Sequence, residues 1–172
     1  EGFAFPFGRC PLCGGELVHG AGEGGGAAAA SEGSAEAIVR AFETELGGLE
    51  FYGRGAREST DPEVRELFGR LAEMEREHIA TLARRYHVEP SAIPMVGRVH
   101  ADALPGEPVA ILRVALTLEQ RARELYATHG RAMAEGSRER ELYRALEAEE
   151  HEHVALIATE LARREAGRPG LL

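Results

Sequence analysis

The chain has 172 residues, 44% of them hydrophobic and 28% charged, which is room for one domain and an appendage of ordinary globular composition. Its 29 acidic residues against 20 basic ones leave a net charge of -9, which argues against a general nucleic-acid binder, whose phosphate contacts need a basic face. No apolar run approaches the roughly 20 residues of a membrane span and no secretory signal is visible, so no membrane partner and a cytoplasmic location are the expectations.

Residues 1–19 carry Phe3, Phe5 and Phe7 and then Cys10-Pro-Leu-Cys13-Gly-Gly, the only two cysteines. That spacing suits a metal knuckle or a redox pair better than a structural disulfide. A four-ligand zinc or iron site needs two such pairs. His19 offers a third ligand at best, so the rest must come from upstream, from a second subunit, or not at all. Residues 20–33 are a Gly/Ala-rich run that cannot bury a core and read as a linker.

Four amphipathic helices follow. The first, over about 35–58 with Ser34 as its N-cap, places Ile38, Phe42, Glu45, Leu49, Tyr52 and Ala56 on one face. Gly47, Gly48 and Gly53 in it either admit a close neighbour or are simply tolerated. Thr60-Asp61-Pro62-Glu63 is a strong helix start: Thr60 or Asp61 can cap, Pro62 suits the first turn, and Glu63 completes a capping box with Thr60. The second helix runs to Tyr86 or His87 and lines up Val64, Phe68, Leu71, Glu75, His78 and Leu82. Residues 88–107 hold three prolines and no clear period. A connection of that length inside a bundle implies a crossover, with the helices it joins running parallel. The third helix, over about 107–135, carries Leu112, Leu116, Glu119, Ala122, Tyr126, Gly130 and Met133. Ser137 caps the fourth, whose face is Tyr143, Leu146, Glu150, His153, Ile157 and Leu161 and which ends before Gly167 and Pro169. The fold class is therefore all-α: a four-helix bundle over 34–172, after the Cys-x-x-Cys segment.

The two halves repeat. Glu45 and Glu119 are 74 residues apart, as are Tyr52 and Tyr126; Glu75 and Glu150 are 75 apart, as are His78 and His153. Leu71/Leu146, Ile79/Val154 and Leu82/Ile157 match around them. Each half is a helical hairpin bearing Glu-x6-Tyr and then Glu-x-x-His. A carboxylate from each of two helices with Glu-x-x-His from each of the other two is a di-iron or di-manganese ligand pattern. Four carboxylates balance two divalent ions, the two imidazoles suit iron, and six protein ligands leave positions for a small oxidant. Surface Glu-x-x-His is common. Two copies centred on apolar stripes with no Lys or Arg in them would repel one another unless a cation were present. The metal ligands expected are thus Glu45, Glu75, His78, Glu119, Glu150 and His153, with Cys10 and Cys13 as a weaker second site for zinc or iron. Tyr52 and Tyr126 read as phenols orienting carboxylates on the facing helix, or else as core residues whose hydroxyls find some partner. Glu77, Glu147, Glu149, His151 and Glu152 read as a solvated face, and His87, His100 and His129 receive no role.

At these motifs the chain resembles the ferritin-like superfamily and, within it, the rubrerythrin-like proteins. The resemblance covers about 35–165, and Cys10-Pro-Leu-Cys13-Gly looks like half of a rubredoxin-like Fe(Cys)4 module. It implies a ferritin-like fold and a centre of two iron ions, with manganese as the alternative. It further implies reduction of hydrogen peroxide in oxidative-stress defence, an external electron donor, and a homodimer or larger homo-oligomer. Rubrerythrins usually carry a further glutamate one turn along the third helix; Ala122 stands there in this chain, with Glu124 nearby. The alternatives are a dioxygen-driven ferroxidase or iron-handling protein, and a non-enzymatic helical module with a structural metal.

Overall fold

A computed structural model describes residues 32–87 and 104–167, the side chains of 32–36 excepted. Over these residues the chain forms α1 (Glu32–Glu58), α2 (Pro62–Tyr86), α3 (Pro108–Ala132) and α4 (Arg138–Glu165), with no strand among them. Cys10, Cys13, His19, His100 and residues 88–103 of the expected crossover lie outside the described residues.

Short joins fold α1 back on α2 and α3 back on α4. Asp61 begins α2 with its carboxylate accepting from the backbone N–H groups of Glu63 and Val64, and Ser137 begins α4 by accepting from that of Arg140. The expected capping box between Thr60 and Glu63 does not form. Asp61 takes the cap, and the Glu63 carboxylate turns to Arg163 and Arg164 at 2.7 and 2.9 Å. α1 starts at Glu32, inside the expected linker and ahead of Ser34. α3 stops at Ala132 rather than near 135, because Met133 is already extended at φ -80° and ψ 151°.

The two hairpins face each other in a defined sense. Arg164 Nη1 and Nη2 lie 2.7 and 3.0 Å from the two oxygens of Asp61, joining the end of α4 to the start of α2. Arg85 pairs with Glu139 at the opposite end. α2 is therefore antiparallel to α4. Arg113, early in α3, pairs with Glu165 at the end of α4, so α3 is antiparallel to α4 as well. It follows that α2 and α3 run parallel.

The expected stripes are the faces that meet. The buried residues of α4 are Tyr143, Leu146, Glu150, His153, Ile157 and Leu161 and no others. Burying such apolar surface contributes about 25 cal/mol per Å2. Phe51, Tyr52 and Phe68 form an aromatic cluster between α1 and α2, with ring centroids 5.1 to 5.6 Å apart. Gly55 makes room for it: a Cβ there would stand 2.2 Å from Phe68 Cδ2. No helix of the described residues is long and apolar enough to cross a membrane.

Candidate metal centre

The mid-height of the bundle is polar. Glu45, Glu75, His78, Glu119, Glu150 and His153 are each at most 4% exposed, and together they are the whole buried polar set among the described residues. One residue comes from α1, two from α2, one from α3 and two from α4, each at the middle of an otherwise apolar face. Four carboxylates without a buried Lys or Arg beside them would cost several kcal/mol each to dehydrate.

Two overlapping groups of ligand atoms result. Glu45, Glu75, His78 and Glu150 offer one cluster, and Glu75, Glu119, Glu150 and His153 the other; within each, the ligand atoms lie within 4.8 Å of one another. Glu75 and Glu150 belong to both. The internal repeat reappears as near two-fold geometry. His78 Nδ1 lies 2.9 Å from Glu45, 3.6 Å from Glu75 and 3.4 Å from Glu150. His153 Nδ1 lies 3.4 Å from Glu119, 3.2 Å from Glu150 and 4.0 Å from Glu75. The two rings stack, with centroids 5.4 Å apart.

The tyrosines complete the symmetry. The Tyr52 hydroxyl on α1 donates to Glu119 on α3, and the Tyr126 hydroxyl on α3 donates to Glu45 on α1. Both rings are fully buried. Each phenol thus fixes one carboxylate oxygen and leaves the other turned toward a cluster. Tyr126 also stacks on Tyr143, 6.1 Å away. Burial, and then the neighbouring carboxylates, raise both phenols well above their ordinary pKa, so they remain donors at neutral pH.

The carboxylates and imidazoles push one another's titration apart. Burial raises Glu119 to about 8, against the opposing pull of His153. Burial and the Glu45 carboxylate raise Glu75 well above the ordinary range. Burial lowers the His153 imidazolium, but contact with Glu119 and Glu150 outweighs it and lifts the group to about 9. Burial opposes ionisation of Glu150 too, yet His153 and His78 hold it well below the usual carboxylate range. Protons on the imidazoles and carboxyls do here what a metal ion does when it binds, and metal binding releases them.

The donor set fits a metal on a further observation. Glu150 Oε2 and both ring nitrogens of His153 are buried with no hydrogen-bond partner. Orphaned polar atoms of that kind are rare in a folded core, and a cation bound between Glu150 Oε2 and His153 Nδ1 would satisfy those two, leaving Nε2 to carry the ring proton. A cavity of about 270 Å3 reaches the cluster, lined by Gly47, Gly48, Leu118 and Ala122 and floored by the carboxylates of Glu75 and Glu119. Gly48 is needed there, since a Cβ would stand 2.9 Å from the Glu75 carboxylate carbon. Of the expected close approaches at Gly47, Gly48 and Gly53, the one at Gly48 touches the site.

One sequence-based expectation changes. Glu149, assigned to the solvated face, places Oε2 2.6 Å from His78 Nε2 while its side chain stays 53% exposed. Only the packing of α4 on α2 brings them together, and no spacing within one helix reveals that. Glu124, the nearest carboxylate to the Ala122 position, points outward to Thr128 and Arg131 and adds no ligand. Glu77 and Glu152 are exposed, and exposed His151 meets Arg123 at 3.2 Å. His87 ends α2 in the left-handed region at φ 54°, and the His129 ring lies 5.9 Å from that of Tyr143; neither is near the cluster.

Fold and site thus define a four-helix protein whose buried Glu/His clusters can hold metal ions. No family model matches the chain, and comparison with curated proteins and with solved structures finds no match.

Proposed function

We propose that this is a ferritin-like, rubrerythrin-like di-iron carboxylate oxidoreductase that reduces hydrogen peroxide. The observation that carries the reading is the pair of ligand clusters sharing Glu75 and Glu150, each with its own imidazole. Glu45 and His78 would hold one ion, Glu119 and His153 the other, with Glu75 and Glu150 between them. Iron suits this mixed carboxylate and imidazole set, and manganese uses the same one. Held there, such an ion pair would supply the two electrons that, with two protons, reduce hydrogen peroxide to two waters, and an external electron donor would restore them.

The chain's own residues then have definite tasks. Tyr52 and Tyr126 hold Glu119 and Glu45 against rotation, so that one oxygen of each keeps its aim. The apolar rings and aliphatic side chains above and below the cluster exclude bulk water. The cavity beside Gly48 and Ala122 is large enough for a small, uncharged oxidant and opens on the carboxylates.

Ala122 favours a second reading. Without the further carboxylate that rubrerythrins usually place there, the six-ligand site is closer to that of a ferritin-type ferroxidase using dioxygen. Stopped-flow reoxidation of the Fe(II)-loaded protein separates the two. Peroxide is expected to oxidise it faster than dioxygen does. Equal or slower oxidation by peroxide, with turnover of many Fe(II) equivalents under dioxygen, would transfer the assignment to the ferroxidase. A site inert to both oxidants would leave a structural metal in a helical module.

A further inference from the structure

The near two-fold symmetry of the centre is broken beside the two imidazoles. Glu149, on α4, lies one position before Glu150. Its counterpart in the first half, one position before Glu75, is Met74. His78 accordingly has Nδ1 turned to three buried carboxylates and Nε2 held 2.6 Å from Glu149 Oε2. His153 has Nδ1 turned to the matching three carboxylates, but its Nε2 is buried without a partner. A thioether in the place of the carboxylate is at best a weak acceptor.

We propose that Glu149 is a positioning residue that makes the two metal positions unequal, so that the position of Glu45, Glu75, His78 and Glu150 takes up a divalent cation first and more tightly than its twin. This inference rests on the two-metal reading of the site. An imidazole that coordinates through Nδ1 must carry its proton on Nε2, and a carboxylate accepting that proton fixes the tautomer, pins the ring plane and strengthens the nitrogen as a donor. Glu149 supplies all three effects to His78. The His153 imidazole has the same inward nitrogen but nothing that selects its tautomer or holds its ring. Because Glu149 is half-exposed, it also ties the ligand to the solvent-facing side of α4, which its buried twin lacks. Loss of such an outer partner typically weakens metal affinity about 10- to 100-fold, and that sets the expected separation of the two positions.

Co(II) titration of the full chain, followed by calorimetry and by the visible absorption of the bound ion, tests this. The unaltered protein is expected to bind two ions in two resolved steps. Glu149→Ala, on an exposed part of the helix, is expected to weaken the first step about 10- to 100-fold and merge it with the second. Glu149→Gln, which keeps an acceptor oxygen without the charge, is expected to restore most of the first step. In a His153→Ala background Glu149→Ala should weaken the remaining position, and in a His78→Ala background it should change nothing. Equal weakening in both backgrounds, or a Gln variant as weak as the Ala variant, would reduce Glu149 to a general negative charge and overturn the proposal. Two ions bound with equal affinity, whatever stands at 149, would overturn it while leaving the two-metal reading intact. Uptake of one ion or none would overturn both.

Discussion

Replacing Tyr126 with phenylalanine removes one hydroxyl and leaves the ring in place against Tyr143. Glu45 then loses the donor that fixes one of its oxygens. Stranding one member of a buried polar pair costs about 1–3 kcal/mol, so Tyr126→Phe is expected to lower stability without metal by that amount in urea denaturation. It is also expected to weaken the metal position that contains Glu45 more than the one that contains Glu119. Tyr52→Phe should show the mirror effect through Glu119. Equal loss at both positions would mean the phenols act on the bundle as a whole rather than on their own carboxylates. The six buried Glu and His residues and the two tyrosines could be picked out from the sequence because each sits in step with an apolar stripe and recurs 74 or 75 residues later. Glu149 could not: it lies off the stripe of its own helix, and its partner is on another.

At the level of the elements, Gly55 shows how closely α1 lies on α2. Helix propensity favours alanine over glycine there by about 1 kcal/mol, yet its Cβ would collide with the Phe68 ring. Overpacking of this kind costs about 1–3 kcal/mol. Gly55→Ala is therefore expected to lower the thermal midpoint, whereas Ala at Gly69, where nothing lies within 4 Å of the added carbon, should raise it. Differential scanning calorimetry of the two variants reads the difference directly, and a stabilised Gly55→Ala would mean that the ring yields. Helix positions and faces were legible because the 3.6-residue period runs through all four. Ends were less so. The capping box at Thr60 lost to the stronger acceptor Asp61, which the arginine at 164 also holds. Asp61 was one of the two caps the sequence offered; its partner Arg164 lies 103 residues away along the chain and leaves no local mark. The ion pairs of Arg85, Arg113 and Arg164 set α2 and α3 parallel, while the connection expected to cross between them, residues 88–103, lies outside the described residues.

For the whole molecule, the buried charge cluster links folding to pH and to metal. His153 is raised from 6.5 to about 9, so its contribution to stability is complete below pH 6.5 and is lost as pH rises through 9. Glu119 is raised from 4.5 to about 8, so the folded state holds its proton and loses stability as pH rises from 4.5 to 8. Both signs agree between pH 6.5 and 8. Protein without metal is expected to melt progressively lower across that interval, while Mn(II)-loaded protein, whose ions displace those protons, should melt higher and with a flatter profile. A midpoint for the protein without metal that rises over the same interval would contradict the charge arrangement derived for the cluster.

The number of ions the two clusters hold is open to direct weighing. Native mass spectrometry of the full chain after anaerobic loading with Fe(II) counts the ions held per chain. Two irons are expected in the unaltered protein, and Glu75→Ala, which removes a ligand common to both clusters, is expected to lose both at the same Fe(II) concentration. A single iron, none, or two irons retained by Glu75→Ala would contradict a centre bridged by Glu75 and Glu150.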